Sequence, residues 1–305
     1  MTVFDAIMQG IVQGLTEFLP VSSSGHLSIT QHFLGVTENN LFFNVMLHVG
    51  TLCAVIAVYY KLIGRLIAAF FRIVKKIATR TFKWNEMDRD ENMVWMVFFG
   101  LLPLFLLFVP IPFSGGYNGK DLAELWSGDN SILLEGFSLL ITSALLTLGI
   151  IANQRTTMRY LQNGMSKRSG GGRSRLNPHD AFIIGITQVF AAVFPGLSRS
   201  GSTLAAGELR GVYKQAALDY TFILGTPAII AAALLEFKDV LKPEDGVAVK
   251  IEVLPVIVGM ITSAIVGFLA IKLFKLMLEK DRMYIFAGYT AVLGLSVIVY
   301  SLIMG

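Results

Sequence analysis

Two short stretches, QGLTEFLPVSSSGH (13–26) and FPGLSRSGST (194–203), hold residues whose types and spacing suit chemistry. In the first, Gln13 and Glu17 are four apart and share one helix face. Ser22, Ser23, Ser24, Gly25 and His26 follow directly. A carboxylate in an apolar segment costs about 3 kcal/mol or more on insertion scales, so such residues are functional by default. In the second, Gly196 and Gly201 permit unusual backbone dihedrals. Ser198, Ser200, Ser202 and Thr203 supply hydroxyls, and Arg199 a planar fork suited to phosphate oxygens. A helix resuming near Ser202 would add unpaired amides and a positive dipole end. Plainer readings stand beside these: Glu17 simply pairs with Arg199, His26 is a packed histidine, and Arg199 snorkels to the surface.

Together the stretches describe a phosphoryl-transfer site. Arg199 and the second-stretch amides would hold a phosphoryl group and neutralise charge growing on it. A serine of the first stretch would attack, or position the water that does, while His26 accepts or relays the proton. Glu17 with the Gln13 carbonyl would hold a divalent cation, since hard cations prefer oxygen ligands. No HExxH-type motif is present. His32, His48 and His179 have no polar partners nearby in sequence and are read as structural or surface residues.

The elements that must carry these residues belong to a membrane. Of 305 residues, 54% are hydrophobic and 15% charged, with a mean hydropathy of +0.65; a soluble chain carries about 25% charge. Six stretches are long enough to span, roughly 41–60, 93–113, 131–152, 218–236, 253–271 and 283–303. Two shorter runs, 6–19 and 181–194, stop at Pro20 and Pro195. Proline cannot donate to a helix and disfavours helix in the residue before it, so both runs should break there. Broken backbone at membrane depth survives only against protein or a watery cavity. The expected fold is therefore all-α and polytopic, with six spans and two re-entrant helical hairpins. The first run lacks a basic n-region and does not read as a cleaved signal. Cys53 is the only cysteine; it excludes an intrachain disulfide and reads as inert packing.

Loop charge sets the orientation. No Lys or Arg occurs before Lys61, whereas 61–92 carries eight and 153–180 six. Positive loops stay cytoplasmic, so both termini face outward, as does the 114–130 connection. The 237–252 connection is a weaker outward vote, and 272–282 votes inward.

The chain also repeats itself. At an offset of 175, Asp5, Ala6, Gly10, Ile11, Gln13, Pro20 and Ser23 fall on Asp180, Ala181, Gly185, Ile186, Gln188, Pro195 and Ser198. Gly50-Thr51 falls on Gly225-Thr226 without a gap. Residues 1–152 form a first repeat of one hairpin and three spans, 153–179 a cytoplasmic linker with a Gly-rich SKRSGGGRSR stretch, and 180–305 a second repeat. Three crossings per repeat make the second inverted, and inverted repeats place their sites at discontinuous helices.

These motifs resemble the undecaprenyl-diphosphatase family, the bacitracin-resistance proteins of bacterial membranes. Gln13 and Glu17 match the Gln version of its first motif. Pro20, Val21, Ser22, Ser23, Gly25 and His26 match PVSSxGH, and Pro195, Gly196, Ser198, Arg199, Ser200 and Thr203 match PGxSRSxxT. The resemblance covers nearly the whole chain. It implies hydrolysis of undecaprenyl diphosphate to undecaprenyl phosphate and inorganic phosphate at the outer face of the cytoplasmic membrane. That reaction recycles a cell-wall lipid carrier and would confer bacitracin resistance. The resemblance further implies Mg²⁺ or Ca²⁺ dependence and essential roles for Glu17, Ser23, His26 and Arg199, with Gln13 assisting. Expected partners are the polyprenyl diphosphate and membrane lipids; no nucleic acid is expected, and a homodimer stays open. Serine and histidine remain alternative nucleophiles. The rival function is a polyprenyl-phosphate transporter or flippase without hydrolysis; a structural scaffold has no use for a buried Glu, His and Arg beside seven hydroxyl residues.

Overall fold

The computed structural model describes residues 1–34, 41–110, 116–127, 132–164, 171–241 and 252–304. Eleven α-helices carry the described chain: α1 (Val3–Phe18), α2 (Ser23–Leu34), α3 (Leu41–Ala78), α4 (Arg89–Leu101), α5 (Gly119–Ser127), α6 (Leu133–Gln162), α7 (Pro178–Val193), α8 (Arg199–Leu209), α9 (Lys214–Leu241), α10 (Val253–Glu279) and α11 (Tyr284–Met304). Among the described residues, five helical stretches are long and apolar enough to cross a membrane: Phe42–Ala78, Arg89–Phe108, Leu133–Gln162, Val253–Glu279 and Tyr284–Ile303. The expected sixth, 218–236, is helical within α9 and carries Pro227 in its interior.

Three expectations change. The connection 61–92 is not a loop. Residues through Ala78 extend α3 to 38 residues, roughly 57 Å at 1.5 Å per residue and well beyond a 30 Å hydrocarbon core. Its basic side chains keep the helix going by pairing with α4: Arg72 reaches Asp88 at 2.8 Å and Lys76 reaches Glu91 at 2.6 Å. Second, the span expected over 93–113 tightens into a 3-10 turn at Leu102–Phe108, where Pro103 interrupts the α-helical ladder. Third, the span expected over 131–152 is longer. α6 runs on to Gln162, and Arg173 is fixed by Asp180 at 2.7 Å and by backbone bonds with Gly211 and Tyr213. Residues 166–170 of the Gly-rich stretch and most of the 237–252 connection lie outside the described residues. Cys53, expected to be packed, is exposed on α3.

Helix packing relies on small residues, as it must where lipid and side chain are equally apolar. Gly10 and Gly14 of α1 lie against Gly259, Ser263 and Gly267 of α10. A Cβ at Gly10 would come 2.7 Å from the Gly259 carbonyl, and one at Gly14 2.8 Å from that of Ser263. In the second half Gly185 of α7 meets the Gly100 carbonyl of α4 in the same manner. Thus α1 packs on α10 and α7 on α4, while α3 packs on α9 and α6 on α11.

Candidate functional site

α1 and α7 start alike. Thr2 and Asp5 form a reciprocal capping box on α1, and Asn177 and Asp180 form the same box on α7, in the register of the repeat. They also stop alike. Leu19 and Phe194, each preceding a proline, turn extended and end their helices. Ser22 (φ 73) and Gly196 (φ 82) then adopt left-handed backbone. Glycine takes this conformation freely; for serine it is uncommon.

The chain next restarts as helix through matching serine caps. Ser22 Oγ accepts the Gly25 N–H at 3.2 Å, and Ser198 Oγ accepts the Gly201 N–H at 3.1 Å. Ser22 and Ser24 hydroxyls are 3.4 Å apart, as are those of Ser198 and Ser200. Ser22 is therefore the counterpart of Ser198, one residue displaced from the Ser23–Ser198 pairing read in sequence. The second break holds one more residue between its proline and its cap. The helix restarts at Arg199, not near Ser202.

The two breaks touch. The Gly196 N–H donates to Ser24 Oγ at 3.4 Å, and Ser200 Oγ donates to the Leu19 carbonyl at 3.1 Å. Glu17, 6% exposed, joins them more strongly. Its Oε1 accepts from Arg199 Nη2 at 2.6 Å; its Oε2 accepts from Ser23 Oγ at 2.7 Å and Gln13 Nε2 at 3.0 Å. The simple Glu17–Arg199 pairing is thus present, but it is one contact in a larger polar cluster. Arg199 Nη1 donates to the Gly225 carbonyl at 3.2 Å, and a Cβ at Gly225 would sit 3.0 Å from that nitrogen. The repeated Gly-Thr pair thus gains a reason at Gly225: the guanidinium lies flat against it.

His48, dismissed in sequence, belongs to this cluster. Gln13 Nε2 also donates to its Nδ1 at 3.0 Å, and that nitrogen lies 3.5 Å from Glu17 Oε2. Donation to two acceptors fixes which way the Gln13 amide faces. It leaves Gln13 Oε1 buried with no hydrogen-bond partner, an oxygen of the kind a hard cation takes. Gln13 and Glu17 thus offer oxygens of a type that suits a divalent cation. Among the described residues no cluster of three or more His, Cys, Asp or Glu side chains adds to them.

Other expected residues are placed differently. His26 does not reach Ser23; its Nδ1 meets the Ser22 carbonyl and its Nε2 meets Tyr289 Oη, both at 2.7 Å. Thr203 turns its hydroxyl onto the Arg199 carbonyl at 2.8 Å, and the Ser202 hydroxyl is fully buried without a partner. Glu135 of α6 lies under the second break, where a Cβ at Gly196 would come 2.7 Å from its Cα, and it accepts from Ser28 at 3.3 Å. Sequence reasoning passed over Glu135 and Tyr289 because each stands alone in an apolar stretch. For His48 one signal was available: it precedes Gly50-Thr51 of the repeat by two positions.

Comparison with known proteins gives a consistent result. The family described as bacitracin resistance protein BacA matches residues 6–296. The chain is 37% identical over 306 residues to an undecaprenyl-diphosphatase of Alkaliphilus metalliredigens, covering 99% of this chain and 100% of that one. It is 33% identical over 307 residues to one from Methanosphaera stadtmanae, covering 99% of both chains. A third, from Bacteroides thetaiotaomicron, is 32% identical over 303 residues, covering 99% of this chain and 100% of the relative.

Proposed function

The chain belongs to the bacitracin resistance protein BacA family, and from that premise we propose that it cleaves its substrate where the two helix breaks meet. It is a multi-pass membrane enzyme, an undecaprenyl-diphosphatase that yields undecaprenyl phosphate and inorganic phosphate. One observation carries the placement of the site: Glu17 bridges Ser23 of the first break and Arg199 of the second at 2.7 and 2.6 Å.

In this reading the terminal phosphoryl group takes the Arg199 guanidinium, whose planar fork matches two phosphate oxygens. Arg199 then stabilises charge developing on the phosphoryl oxygens. Ser23 is the nucleophile, with Glu17 Oε2 placed to take its proton. The short Ser23–Glu17 contact, and the distance of His26 from it, favour serine over histidine. Ser24, Gly196, Ser198, Ser200 and Gly201 build the turn that presents these groups, while Ser22 caps the helix holding Ser23. Gln13 Oε1 and Glu17 are the residues that would hold Mg²⁺ or Ca²⁺. Such an ion, when bound, neutralises diphosphate charge and orients the substrate.

The finer architecture is part of the proposal. α9 is the sixth span, α1–α2 and α7–α8 are re-entrant hairpins, and residues 1–152 and 180–305 are inverted repeats. The matching capping boxes, the matching serine caps and the reciprocal packing of α1 on α10 and α7 on α4 support it. The positive loops support a site open to the outer face of the bacterial cytoplasmic membrane. From there it would recycle the wall-polymer carrier and confer bacitracin resistance.

The test is phosphate release from farnesyl or undecaprenyl diphosphate by purified protein, with chelation and cation add-back. Ser23→Ala and Arg199→Ala should each lower kcat by about 10²-fold or more, and chelation should abolish turnover reversibly. Full activity in either variant would remove the residue from the site. Lipid translocation without phosphate release would favour the transporter.

A further inference from the structure

If Glu17 takes the Ser23 proton, the imidazole beside them needs another task, and its contacts indicate one. The Ser22 carbonyl can only accept, so His26 Nδ1, 2.7 Å away, carries the ring hydrogen. In the neutral ring Nε2 is then an acceptor, and the group 2.7 Å from it is the Tyr289 hydroxyl, which donates. The rings stack with centroids 5.6 Å apart and planes inclined by 18°. Tyr289 stands on α11, far along the chain from the first break, and is 46% exposed. Its hydroxyl is the imidazole's polar contact outside the first break.

We propose that Tyr289 is a further catalytic residue, the outer member of a Ser22 carbonyl–His26–Tyr289 proton relay serving the water that attacks phosphorus. This rests on the diphosphatase reading above. As the water oxygen–phosphorus bond forms, the bond from phosphorus to Ser23 Oγ breaks, and the serine oxygen takes back its proton from Glu17. The water proton passes to Tyr289 Oη while the phenol proton passes to His26 Nε2. Tyrosine ends neutral, and the imidazolium keeps its Nδ1–H on the Ser22 carbonyl. The proton then returns along the same path to the released phosphate, restoring the neutral ring. The arrangement gives each proton acceptor one job: Glu17 serves the serine, and the His26–Tyr289 pair serves water.

Tyr289→Phe tests this, because it removes the hydroxyl and keeps the stacked ring. With phosphate release from undecaprenyl diphosphate as the readout, Tyr289→Phe should lower kcat by about 10²-fold and leave KM within about twofold. Because both residues act in one relay, the His26→Ala/Tyr289→Phe double variant should be no more than about threefold slower than His26→Ala alone. The wild-type slowing in heavy water should shrink in Tyr289→Phe. A Tyr289→Phe enzyme with wild-type kcat, losses that multiply in the double variant, or an unchanged heavy-water effect would overturn the relay. A wild-type protein that released no phosphate would instead remove the reaction, and the relay with it.

Discussion

Glu17 is held by residues from four helices: Gln13 on its own α1, Ser23 on α2 and Arg199 on α8 directly, and His48 on α3 through Gln13. A carboxylate so enclosed is tolerable only while its partners remain. Among them His48 acts at one remove, by fixing the Gln13 amide so that Oε1 stays unpaired. His48→Ala should therefore raise the cation concentration giving half-maximal phosphate release by about tenfold or more, as loss of an outer-shell partner does. A cation titration superimposing on wild type would dismiss that role. At this scale the sequence told most about residues that are neighbours along the chain. Gln13, Glu17 and the serines announced themselves by spacing, and Arg199 by its setting. His48 and Tyr289 did not, because their partners are brought to them by packing; a lone histidine in an apolar run has the same local sequence whether it binds anything or not.

Helix breaks were the most legible elements, since proline acts through covalent geometry that no tertiary contact can remove. Both helices stop where Pro20 and Pro195 require. Charge proved a poor guide to helix ends. Lys61 to Lys76 read as a loop by polarity, yet these residues extend α3 because acidic partners on α4 face them. The one-residue slip between the breaks was likewise hidden, for a serine matches a serine in sequence whether or not it caps a helix. The close α1–α10 contact gives an element-scale expectation. Gly14→Leu would drive a side chain into the Ser263 carbonyl and Val266, so it should cost about 1–3 kcal/mol by overpacking. Thermal unfolding in detergent should show a lower midpoint and phosphate release should fall with it; an unchanged midpoint would mean that the two helices are free to separate.

For the whole molecule, the orientation drawn from loop charge makes a direct prediction. In a Cys53→Ser background, a membrane-impermeant maleimide added to intact spheroplasts should label Tyr117→Cys and spare Asn85→Cys until the membrane is opened. The opposite pattern would turn the site toward the cytoplasm. The all-helical class and five of the spans were readable, because hydropathy survives without contacts. How the helices fit together was not readable, since glycine stripes say that something approaches closely without saying what.

That fit bears on how the protein can be made and how it can fail. Because α1 leans on α10 and α7 on α4, neither helix finds its packing partner in its own stretch of chain. The nascent chain must wait until its last quarter leaves the ribosome before α1 finds its bed on α10. A lesion at Gly259 or Ser263, hundreds of positions from Glu17 in the gene, would then reach the reaction centre as a folding delay, and cells would experience it as loss of the enzyme.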